Sequence, residues 1–292
     1  MTVENAMTIQ SAPVSLKNIL LATDFGAVSQ IALQRATVIA RRYDAKLYLL
    51  NVVRPSDQRG LEDAWREAQR YMTDQFIAGQ FDGIDNRLLV EAGDTWEVIS
   101  RKIDELGIDL IVTGAHARTG ITKLLLGSTA ETIFRQAPCP VLLVGSNTVP
   151  EPPPALQHIL FCTGFSSHSL KAGGYALALA ERQNACLKLL HVVIESPASE
   201  KERADLAASC ESRLRSLLPG ENSLSCPPEF SVAFGPSAEN ILRVAAQSKT
   251  DLIVLGVRQP AGFARRFKWA TAYEVVTQAT CPVLTVRSTE PA

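Results

Sequence analysis

The 292-residue sequence lacks any long apolar run, contains only 6% aromatic residues and carries a net charge of −1. No segment reaches the roughly 18–20 continuous apolar residues that a membrane-spanning helix needs. The 29 basic and 30 acidic residues are spread over both halves of the chain, whereas a protein that binds nucleic acid or an anionic membrane usually has a strongly basic face. We therefore expect neither nucleic acid nor a membrane among the partners.

The cysteines show no pattern typical of a function. Six are scattered along the chain without a CxxC pair or the Cys/His spacing of a metal site. The first 15 residues also contain no basic patch followed by an apolar run, which is the pattern of a secretory signal peptide. We interpret all six cysteines as reduced thiols and expect a cytoplasmic protein.

What the sequence does contain is one pattern that occurs twice. The segment DLIVTG at Asp109 recurs as DLIVLG at Asp251, and QAPCPVL at Gln136 recurs as QATCPVL at Gln278. Both pairs are separated by the same 142 residues. An internal repeat of this length predicts two domains of one fold, and the chain is long enough for each to bury a core.

Short apolar runs alternate with segments of helical periodicity in each repeat. In the first repeat we predict strands at residues 18–24, 46–53, 87–91, 109–113 and 141–144. Helices are predicted between them at residues 29–42, 60–78, 95–106 and 128–136, with Asp94 as an N-cap. Strands of the second repeat are predicted at 159–162, 187–193, 229–233, 251–255 and 283–286.

This alternation, with short connections, indicates βαβ units and a parallel sheet covered by helices on both faces. Between the repeats, the proline-rich stretch from Gly145 to Pro154 can continue neither a strand nor a helix. The fold class is therefore α/β, with two tandem five-stranded parallel-sheet domains. We place the domains at residues 1–146 and 155–292, joined by a semi-rigid linker.

Two loops of the first repeat compete for the place where open parallel sheets bind ligands, beyond the carboxyl ends of the strands. One loop follows the first strand and contains Asp24, which could accept hydrogen bonds from a ribose or base, or could cap the helix that begins near Ser29. The other follows the fourth strand and leads from Gly114 to a predicted helix that begins at Gly127 and Ser128.

The start of that helix has two interpretations. A phosphate held there would meet free backbone N–H groups and the positive end of the helix dipole, and Gly127 would let the backbone come close. Ser128 and Glu131 also form the pattern of a capping box, which needs no ligand. The two interpretations are compatible, and both remain open.

Two other polar residues of the second loop have ordinary explanations. His116 fits a loop residue better than a catalytic base, because no serine, cysteine or carboxylate stands at a spacing that implies a triad. Arg118 could pair with a phosphate or could simply be solvated. We find no paired carboxylates at the loop and no GxxxxGK[ST] motif, so we expect a protein that is not an enzyme.

With these residues, the chain resembles a tandem universal stress protein over nearly all of both repeats. The family's nucleotide signature is G-x2-G-x9-G-[S/T], and Gly114, Gly127 and Ser128 match it in spacing, with Ala117 in place of the second glycine. The resemblance implies a Rossmann-like fold of the adenine nucleotide alpha hydrolase-like type. It also implies that the first domain binds ATP with Mg²⁺, and slow hydrolysis of that ATP is compatible with a protein that is not an enzyme.

The resemblance further implies where the nucleotide would lie. Adenine would contact the end of the first strand and Val52, and the ribose and phosphates would follow the second loop to the helix. The residues so implied are Ala22, Thr23, Asp24, Val52, Gly114, His116, Ala117, Arg118, Gly120, Gly127, Ser128 and Thr129.

The second repeat departs from this pattern. Gly164 stands in place of Asp24, Gln259 and Pro260 occupy the loop, and Trp269 with Ala270 replaces the glycine–serine pair. The resemblance therefore gives this domain the role of partner in an intramolecular pseudo-dimer formed through the last strands, and a homodimer could form in the same way.

The resemblance leads to a cytoplasmic stress-response protein that binds ATP in its first domain. The alternative, which Ala117 favours, is a dimerisation or scaffold module that binds no nucleotide.

Overall fold

The computed structural model describes residues 8–12, 14–53, 58–77, 79–115, 126–151, 155–195, 197–220, 223–257 and 270–287. The chain divides into two compact units. Ser15–Pro154 forms the first unit, and Ala155–Ala292 forms the second together with the N-terminal residues up to Val14. The described residues before Ser15 therefore group with the second unit, although the repeat pattern places them with the first domain.

The first unit alternates strands and helices along its whole length. Its elements are β1 (Asn18–Ala22), α1 (Ala27–Tyr43), β2 (Lys46–Val53), α2 (Gln58–Ile77), β3 (Asn86–Ala92), α3 (Thr95–Leu106), β4 (Leu110–Ala115), α4 (Ser128–Gln136) and β5 (Val141–Gly145). The strands are parallel in the order β3-β2-β1-β4-β5. This is the predicted α/β fold with a five-stranded parallel sheet.

The second unit repeats this architecture. Its elements are β6 (His158–Cys162), α5 (Ser167–Gln183), β7 (Cys186–Val193), α6 (Glu200–Leu217), β8 (Glu229–Phe234), α7 (Ser237–Gln247), β9 (Leu252–Val257), α8 (Ala270–Gln278) and β10 (Val283–Arg287). The parallel strand order β10-β9-β6-β7-β8 is the order of the first unit read from its opposite edge. The two-domain prediction of one shared fold is confirmed.

The central strands are apolar because helices cover both faces of each sheet. β5 is buried at every position, and β1 is buried from Ile19 to Ala22. The edge strand β3 is only partly buried along its length, as expected where a neighbouring strand is missing on one side. In the part of the chain that the structure describes, no helix combines the length and apolar character needed to cross a bilayer.

Local capping signals set the ends of α3 as predicted. The Asp94 carboxylate accepts hydrogen bonds from the backbone N–H groups of Trp96 (2.9 Å) and Glu97 (3.3 Å). At the other end, Gly107 adopts a left-handed conformation with φ of 57°, which stops the helix. The predicted helix at residues 95–106 is therefore confirmed at both ends.

The prediction that all six cysteines are reduced is wrong for two of them. Cys186, the first residue of β7, forms a disulfide with Cys226, which precedes β8. The two cysteines are 40 residues apart, and the pairing of β7 with β8 brings them together. The other four cysteines are free: Cys139, Cys162, Cys210 and Cys281.

A short N-terminal segment packs against the second unit. We call residues 8–12 and Val14 the N-terminal strap. The backbone N–H of Ile9 donates to the carbonyl of Leu217 at the end of α6 (2.6 Å), and Arg182 of α5 donates to the carbonyl of Val14 (2.5 Å). The Ile9 side chain is only 2% exposed, so the strap contributes to the apolar core of this unit.

Two glycines inside α5 make room for the strap. A Cβ atom on Gly173 would lie 2.6 Å from Cδ1 of Ile9, and one on Gly174 would lie 2.5 Å from the carbonyl oxygen of Gln10. The backbone N–H of Ala12 donates to the Gly174 carbonyl at 3.2 Å. Glycine costs about 1 kcal/mol relative to alanine inside a helix, and the close approach of the strap explains why it is present here.

Candidate functional site

A cavity of about 460 Å³ opens at the carboxyl ends of β1, β2 and β4 in the first unit. The chain proceeds from β1 toward one edge of the sheet and from β4 toward the other, so the strand order reverses between these two neighbours. Open α/β sheets bind ligands at such a reversal. The described lining residues are Ala22, Thr23, Asp24, Ser29, Leu50, Asn51, Val52, Thr95, Ile99, Thr113, Gly114, Gly127, Ser128, Thr129 and Ala130.

Most of the predicted site residues come together around this cavity. Eight of them line it: Ala22, Thr23, Asp24, Val52, Gly114, Gly127, Ser128 and Thr129. The remaining four, His116, Ala117, Arg118 and Gly120, lie outside the described residues. The ends of β1 and β4, whose loops are the two candidate ligand sites of the sequence analysis, thus line one and the same cavity.

Asp24 shapes the turn that joins β1 to α1. Its Oδ1 atom accepts hydrogen bonds from the backbone N–H of Gly26 (2.9 Å) and from the hydroxyl of Ser29 (2.7 Å). The helix begins at Ala27, two residues before the predicted start. The carboxylate therefore organises the start of the helix and at the same time lines the cavity. Its role in the turn is compatible with a role in ligand binding.

The backbone at the end of β1 is fixed by two further hydrogen bonds. The Thr23 hydroxyl accepts from the backbone N–H of Phe25 (3.0 Å), which has a positive φ of 60°. The Asn51 side-chain amide donates to the Thr23 carbonyl (2.8 Å) and so ties β2 to β1. Asn51 was not predicted as a site residue, although a lone amide among the apolar residues of β2 was a usable signal.

An aromatic pair lies beside Asp24. The rings of Phe25 and Tyr71 lie 4.5 Å apart, and the Tyr71 hydroxyl donates a hydrogen bond to the Gln30 side chain. Burial, and secondarily the nearby charge of Asp24, raise the pKa of Tyr71 to about 12. Tyr71 therefore keeps its proton at neutral pH and serves as a hydrogen-bond donor next to the site.

Gly114 has a structural role of its own. A Cβ atom at this position would lie 3.1 Å from the backbone nitrogen of Ser29 and 3.2 Å from the carbonyl carbon of Val28. The first turn of α1 can therefore pack this closely on β4 only because residue 114 has no side chain. The family signature alone would assign this glycine to the ligand.

The capping-box interpretation of Ser128 is wrong. Ser128 is the first residue of α4, and the N-cap is Gly127, which has no side chain to cap the helix. Glu131 instead forms an ion pair with Arg135 one turn later (2.7 Å). Among the described residues no side chain caps this end, so none of them occupies the first N–H groups of α4.

Gly127 leaves this helix end open. Its φ of −57° is accessible to any residue, and a Cβ atom there would meet nothing within 4 Å. Packing within the described protein therefore does not require glycine at this position. The absence of a side chain instead leaves space on the cavity side of the helix N-terminus.

The described lining carries little charge apart from Asp24, since its other members are apolar, hydroxyl, amide or glycine residues. The first residue of α3, Thr95, also lines the cavity, but the N-terminus of that helix is already capped by Asp94. α1 and α4 both begin at the cavity without a side-chain cap, but the Asp24 carboxylate lies at the start of α1 and offsets its dipole, so we expect an anion at the N-terminus of α4 rather than of α1.

The second unit keeps the backbone of this site and loses its carboxylate. The Thr163 hydroxyl accepts from the backbone N–H of Phe165 (3.0 Å), and His191 Nδ1 donates to the Thr163 carbonyl (2.8 Å), as Thr23 and Asn51 do in the first unit. Gly164 supplies no acceptor, and Ser166 caps α5 instead. Of the other predicted differences, Ala270 begins α8, while Gln259, Pro260 and Trp269 lie outside the described residues.

Comparison with known proteins agrees with the duplicated architecture. The model of the universal stress protein family matches residues 15–145 and again residues 155–287. The chain belongs to the universal stress protein family. It therefore consists of two tandem stress-response domains, as the resemblance implied.

Individual relatives in this family cover one domain or both. Proteins named as universal stress proteins in Staphylococcus haemolyticus and Staphylococcus epidermidis are 32% and 31% identical over 145 and 150 residues, which cover 46% and 47% of this chain and 88% and 89% of theirs. A universal stress protein structure from Archaeoglobus fulgidus aligns with a TM-score of 0.69 at 19% identity, covering 92% of this chain and 98% of its own. One from Pseudomonas aeruginosa aligns at 0.61 and 21% identity, covering 94% of each chain. These two structures confirm the Rossmann-like fold.

Proposed function

We propose that the first domain binds an adenine nucleotide, ATP as its Mg²⁺ complex, in the cavity at the carboxyl ends of β1, β2 and β4. The protein would then act in the cytoplasmic stress response through binding, with the second domain as its partner in an intramolecular pseudo-dimer. One observation carries this proposal. The N-terminus of α4 faces the cavity with a glycine N-cap whose missing side chain no described neighbour requires.

The α4 N-terminus suits a phosphate because its backbone N–H groups and the helix dipole both favour an anion. The dipole contributes only about 0.3–1 kcal/mol per charge at an exposed site and up to ~2 kcal/mol when partly buried. The described lining adds no basic side chain. Further positive charge would therefore come from a cation bound with the phosphates, and from Arg118 if the sequence prediction for that residue holds.

Mg²⁺ suits this arrangement. It usually binds through one or two carboxylates together with the phosphates of its nucleotide and keeps several waters. Asp24 supplies one carboxylate in the cavity, and the described ranges contain no group of three or more His, Cys, Asp or Glu that could hold a metal by themselves. The cation would thus arrive with the nucleotide, and its charge would offset the repulsion between Asp24 and the phosphates.

The part of the cavity near β1 and β2 suits a base. Leu50, Val52 and Ile99 provide apolar walls, and the end of β1 provides backbone polar groups beside them. Small-molecule sites typically combine such apolar surface with a few placed polar groups. Val52 and Ala22 would contact adenine, as the resemblance implies.

Binding without rapid catalysis fits the described lining. It contains one carboxylate and no histidine, cysteine or lysine, so no described pair of residues could act as acid and base on a phosphate. We expect any hydrolysis of ATP to be slow. Turnover faster than a few per minute, against a median of ~10 s⁻¹ for dedicated enzymes, would contradict this part of the proposal.

Titration with ATP and Mg²⁺ tests the proposal. A ligand that binds only the folded state stabilises it by about 2.7 kcal/mol at a hundredfold excess over Kd, so the wild-type protein should show a clear thermal shift. Gly127→Trp, which copies the residue of the second repeat, should abolish the shift. Gly220→Ala is the matched control, since that glycine also has open space around its Cβ position but lies in the other unit.

Two outcomes would contradict nucleotide binding. One is the absence of any shift in the wild-type protein, and the other is an equal shift in Gly127→Trp. A purified sample that also releases no adenine nucleotide on denaturation would then favour the alternative, a dimerisation or scaffold module.

A further inference from the structure

The disulfide of the second unit occupies a position that an ion pair occupies in the first. Cys186 opens β7 and is bonded to Cys226 ahead of β8. In the first unit, Lys46 opens β2 and its Nζ lies 3.1 Å from Oδ2 of Asp85, which precedes β3. The two links join equivalent neighbouring strands at the same end of each sheet. Only the link in the second unit depends on redox conditions.

The segment that carries Cys226 has few other described attachments. Residues 223–228 contain no helix or strand. The backbone N–H of Ser223 donates to Oε1 of Glu181 (3.0 Å), and the hydroxyl of Ser225 donates to Asn184 (2.8 Å). Both hydrogen bonds are solvent-exposed, so each contributes little by itself. The covalent bond is therefore the strongest described tie of this segment to β7.

The N-terminal strap shares its anchors with this segment. Oε2 of Glu181 accepts a hydrogen bond from the hydroxyl of Ser11 in the strap (2.9 Å), while its other oxygen holds Ser223. The carbonyl that holds Ile9 belongs to Leu217, the last residue of α6, from which the chain leads toward Cys226. Movement of the segment would therefore disturb the Glu181 contact of the strap directly, while the contact at Leu217 lies further along the chain.

We propose that Cys186–Cys226 is a thiol–disulfide exchange site for low-molecular-weight disulfides such as glutathione disulfide, and that its redox state controls how firmly the N-terminal strap is held. In the oxidised state, the disulfide fixes the segment and the strap stays docked on α5. In the reduced state, the segment is held by exposed hydrogen bonds alone and the strap loosens.

The exchange proceeds in two steps. A thiolate of the reduced pair attacks one sulfur of glutathione disulfide, forms a mixed disulfide and releases one glutathione thiolate. The second protein thiolate then attacks the protein-bound sulfur of the mixed disulfide and releases a second glutathione thiolate. Two protein thiols are thereby oxidised to one disulfide while one glutathione disulfide is reduced to two glutathione molecules.

The environment of the cysteines favours exchange at this pair. Cys186 and Cys226 are both only partly buried, so a small thiol can reach them. Cys162 and Cys281 are buried, and burial raises the pKa of Cys139 to about 12 and also raises the pKa of Cys162 and Cys210. A higher pKa leaves less of the reactive thiolate at Cys139, Cys162 and Cys210.

The expected effect is large. Closing a loop across the 40 residues between the two cysteines restricts the unfolded chain and shifts the unfolding equilibrium by roughly 10²–10³-fold. Part of this shift should appear as local opening of the segment, because its described hydrogen bonds are solvent-exposed, and of the strap, because it shares Glu181 with the segment.

Hydrogen exchange of the full-length protein tests the proposal, with the strap amides of Ile9 and Ala12 as the readout. The sample is compared in oxidised and reduced glutathione, and alkylation with mass spectrometry counts free thiols in each. We expect four free thiols in oxidised glutathione and six in reduced, from the four free cysteines and the total of six. Reduction should remove the protection of both amides.

Two variants sharpen the test. Cys186→Ser/Cys226→Ser should show the unprotected strap in both buffers, whereas Cys210→Ser, a free cysteine of the same unit, should respond as the wild type does. Six free thiols in oxidised glutathione, or an unchanged strap after complete reduction, would overturn the proposal. If the double variant does not fold, the comparison of the wild-type protein in the two buffers still tests the proposal. Neither readout depends on nucleotide binding, so the test is independent of the proposed function.

Discussion

At the scale of single residues, two glycines of one sequence motif have different physical roles. Gly114 is glycine because the first turn of α1 packs against it, at 3.1 Å from the position of a Cβ atom to Ser29. Gly127 has an ordinary φ of −57° and open space around it. A motif derived from ligand binding treats these positions alike, but only Gly127 lacks a structural explanation among its described neighbours.

This difference predicts unequal effects of the same substitution. Gly114→Ala should destabilise the first unit by about 1–3 kcal/mol, because the added methyl overpacks backbone atoms. Gly127→Ala should change the stability of the unit by less than about 1 kcal/mol, because the added methyl meets open space and the reduced freedom of the unfolded chain is offset by the poorer N-cap preference of alanine. Urea unfolding monitored by hydrogen exchange in β4 measures both. Equal destabilisation by the two variants would contradict the assignment.

At the scale of elements, α5 differs from its counterpart α1 because it supports the N-terminal strap. Gly173 and Gly174 let the strap cross the helix at close range, and α1 has Leu33 and Gln34 at the equivalent positions. The substitution of two good helix formers by glycine weakens α5 in isolation, and the buried Ile9 side chain offsets part of that cost.

We predict that Gly174→Ala displaces the strap without unfolding α5. A Cβ atom at residue 174 would lie 2.5 Å from the carbonyl oxygen of Gln10, so the strap must move, while alanine favours the helix. Hydrogen exchange should show lost protection at Ala12 and retained protection within α5. Gly220→Ala serves as the control. A strap that stays protected in Gly174→Ala would show that the close approach at Gly174 is not needed to hold the strap on α5.

At the scale of the whole molecule, the two domains keep one fold and differ in the chemical groups that they carry. The first has a carboxylate, an open helix N-terminus and a cavity between them. The second has a disulfide and the strap, and it has Gly164 where the first has Asp24. With the two proposals above, duplication followed by divergence of the loops would give a protein with a nucleotide site in the first domain and a thiol-exchange site in the second.

The domains should therefore respond to different additives. Saturating ATP and Mg²⁺ should raise protection in β1 and β4 by up to about 2.7 kcal/mol at a hundredfold excess over Kd, without effect on β6 and β9. Reduction should lower protection in β6 and β9 by up to about 4 kcal/mol and leave β1 and β4 unchanged. Hydrogen exchange at these four strands provides the measurement, with Cys186→Ser/Cys226→Ser as the control for reductant. Equal responses of both domains to either additive would contradict the division.

Much of the fold could be predicted from the sequence because it depends on local signals. The apolar runs of β1 and β4, the helical periodicity after each and the Asp94 cap all act over a few residues. The spacing of Gly114, Gly127 and Ser128 indicated residues that line one cavity in the structure. Ser128 was wrong as an N-cap because the helix begins at Ser128 itself, as the predicted range 128–136 has it, so the N-cap position falls on Gly127.

By itself, the sequence determined the duplication, the order of strands and helices along the chain and the loops that meet at the first cavity. Each of these depends on hydrophobic periodicity or on repeated segments, which can be recognised in the sequence alone. Only the tertiary structure decided that Cys186 bonds to Cys226, that the strap packs on Gly173 and Gly174, and that Asn51 joins the site. These contacts join residues far apart in sequence. They depend on strand register and on how closely helices approach, and neither of these leaves a local pattern in the sequence.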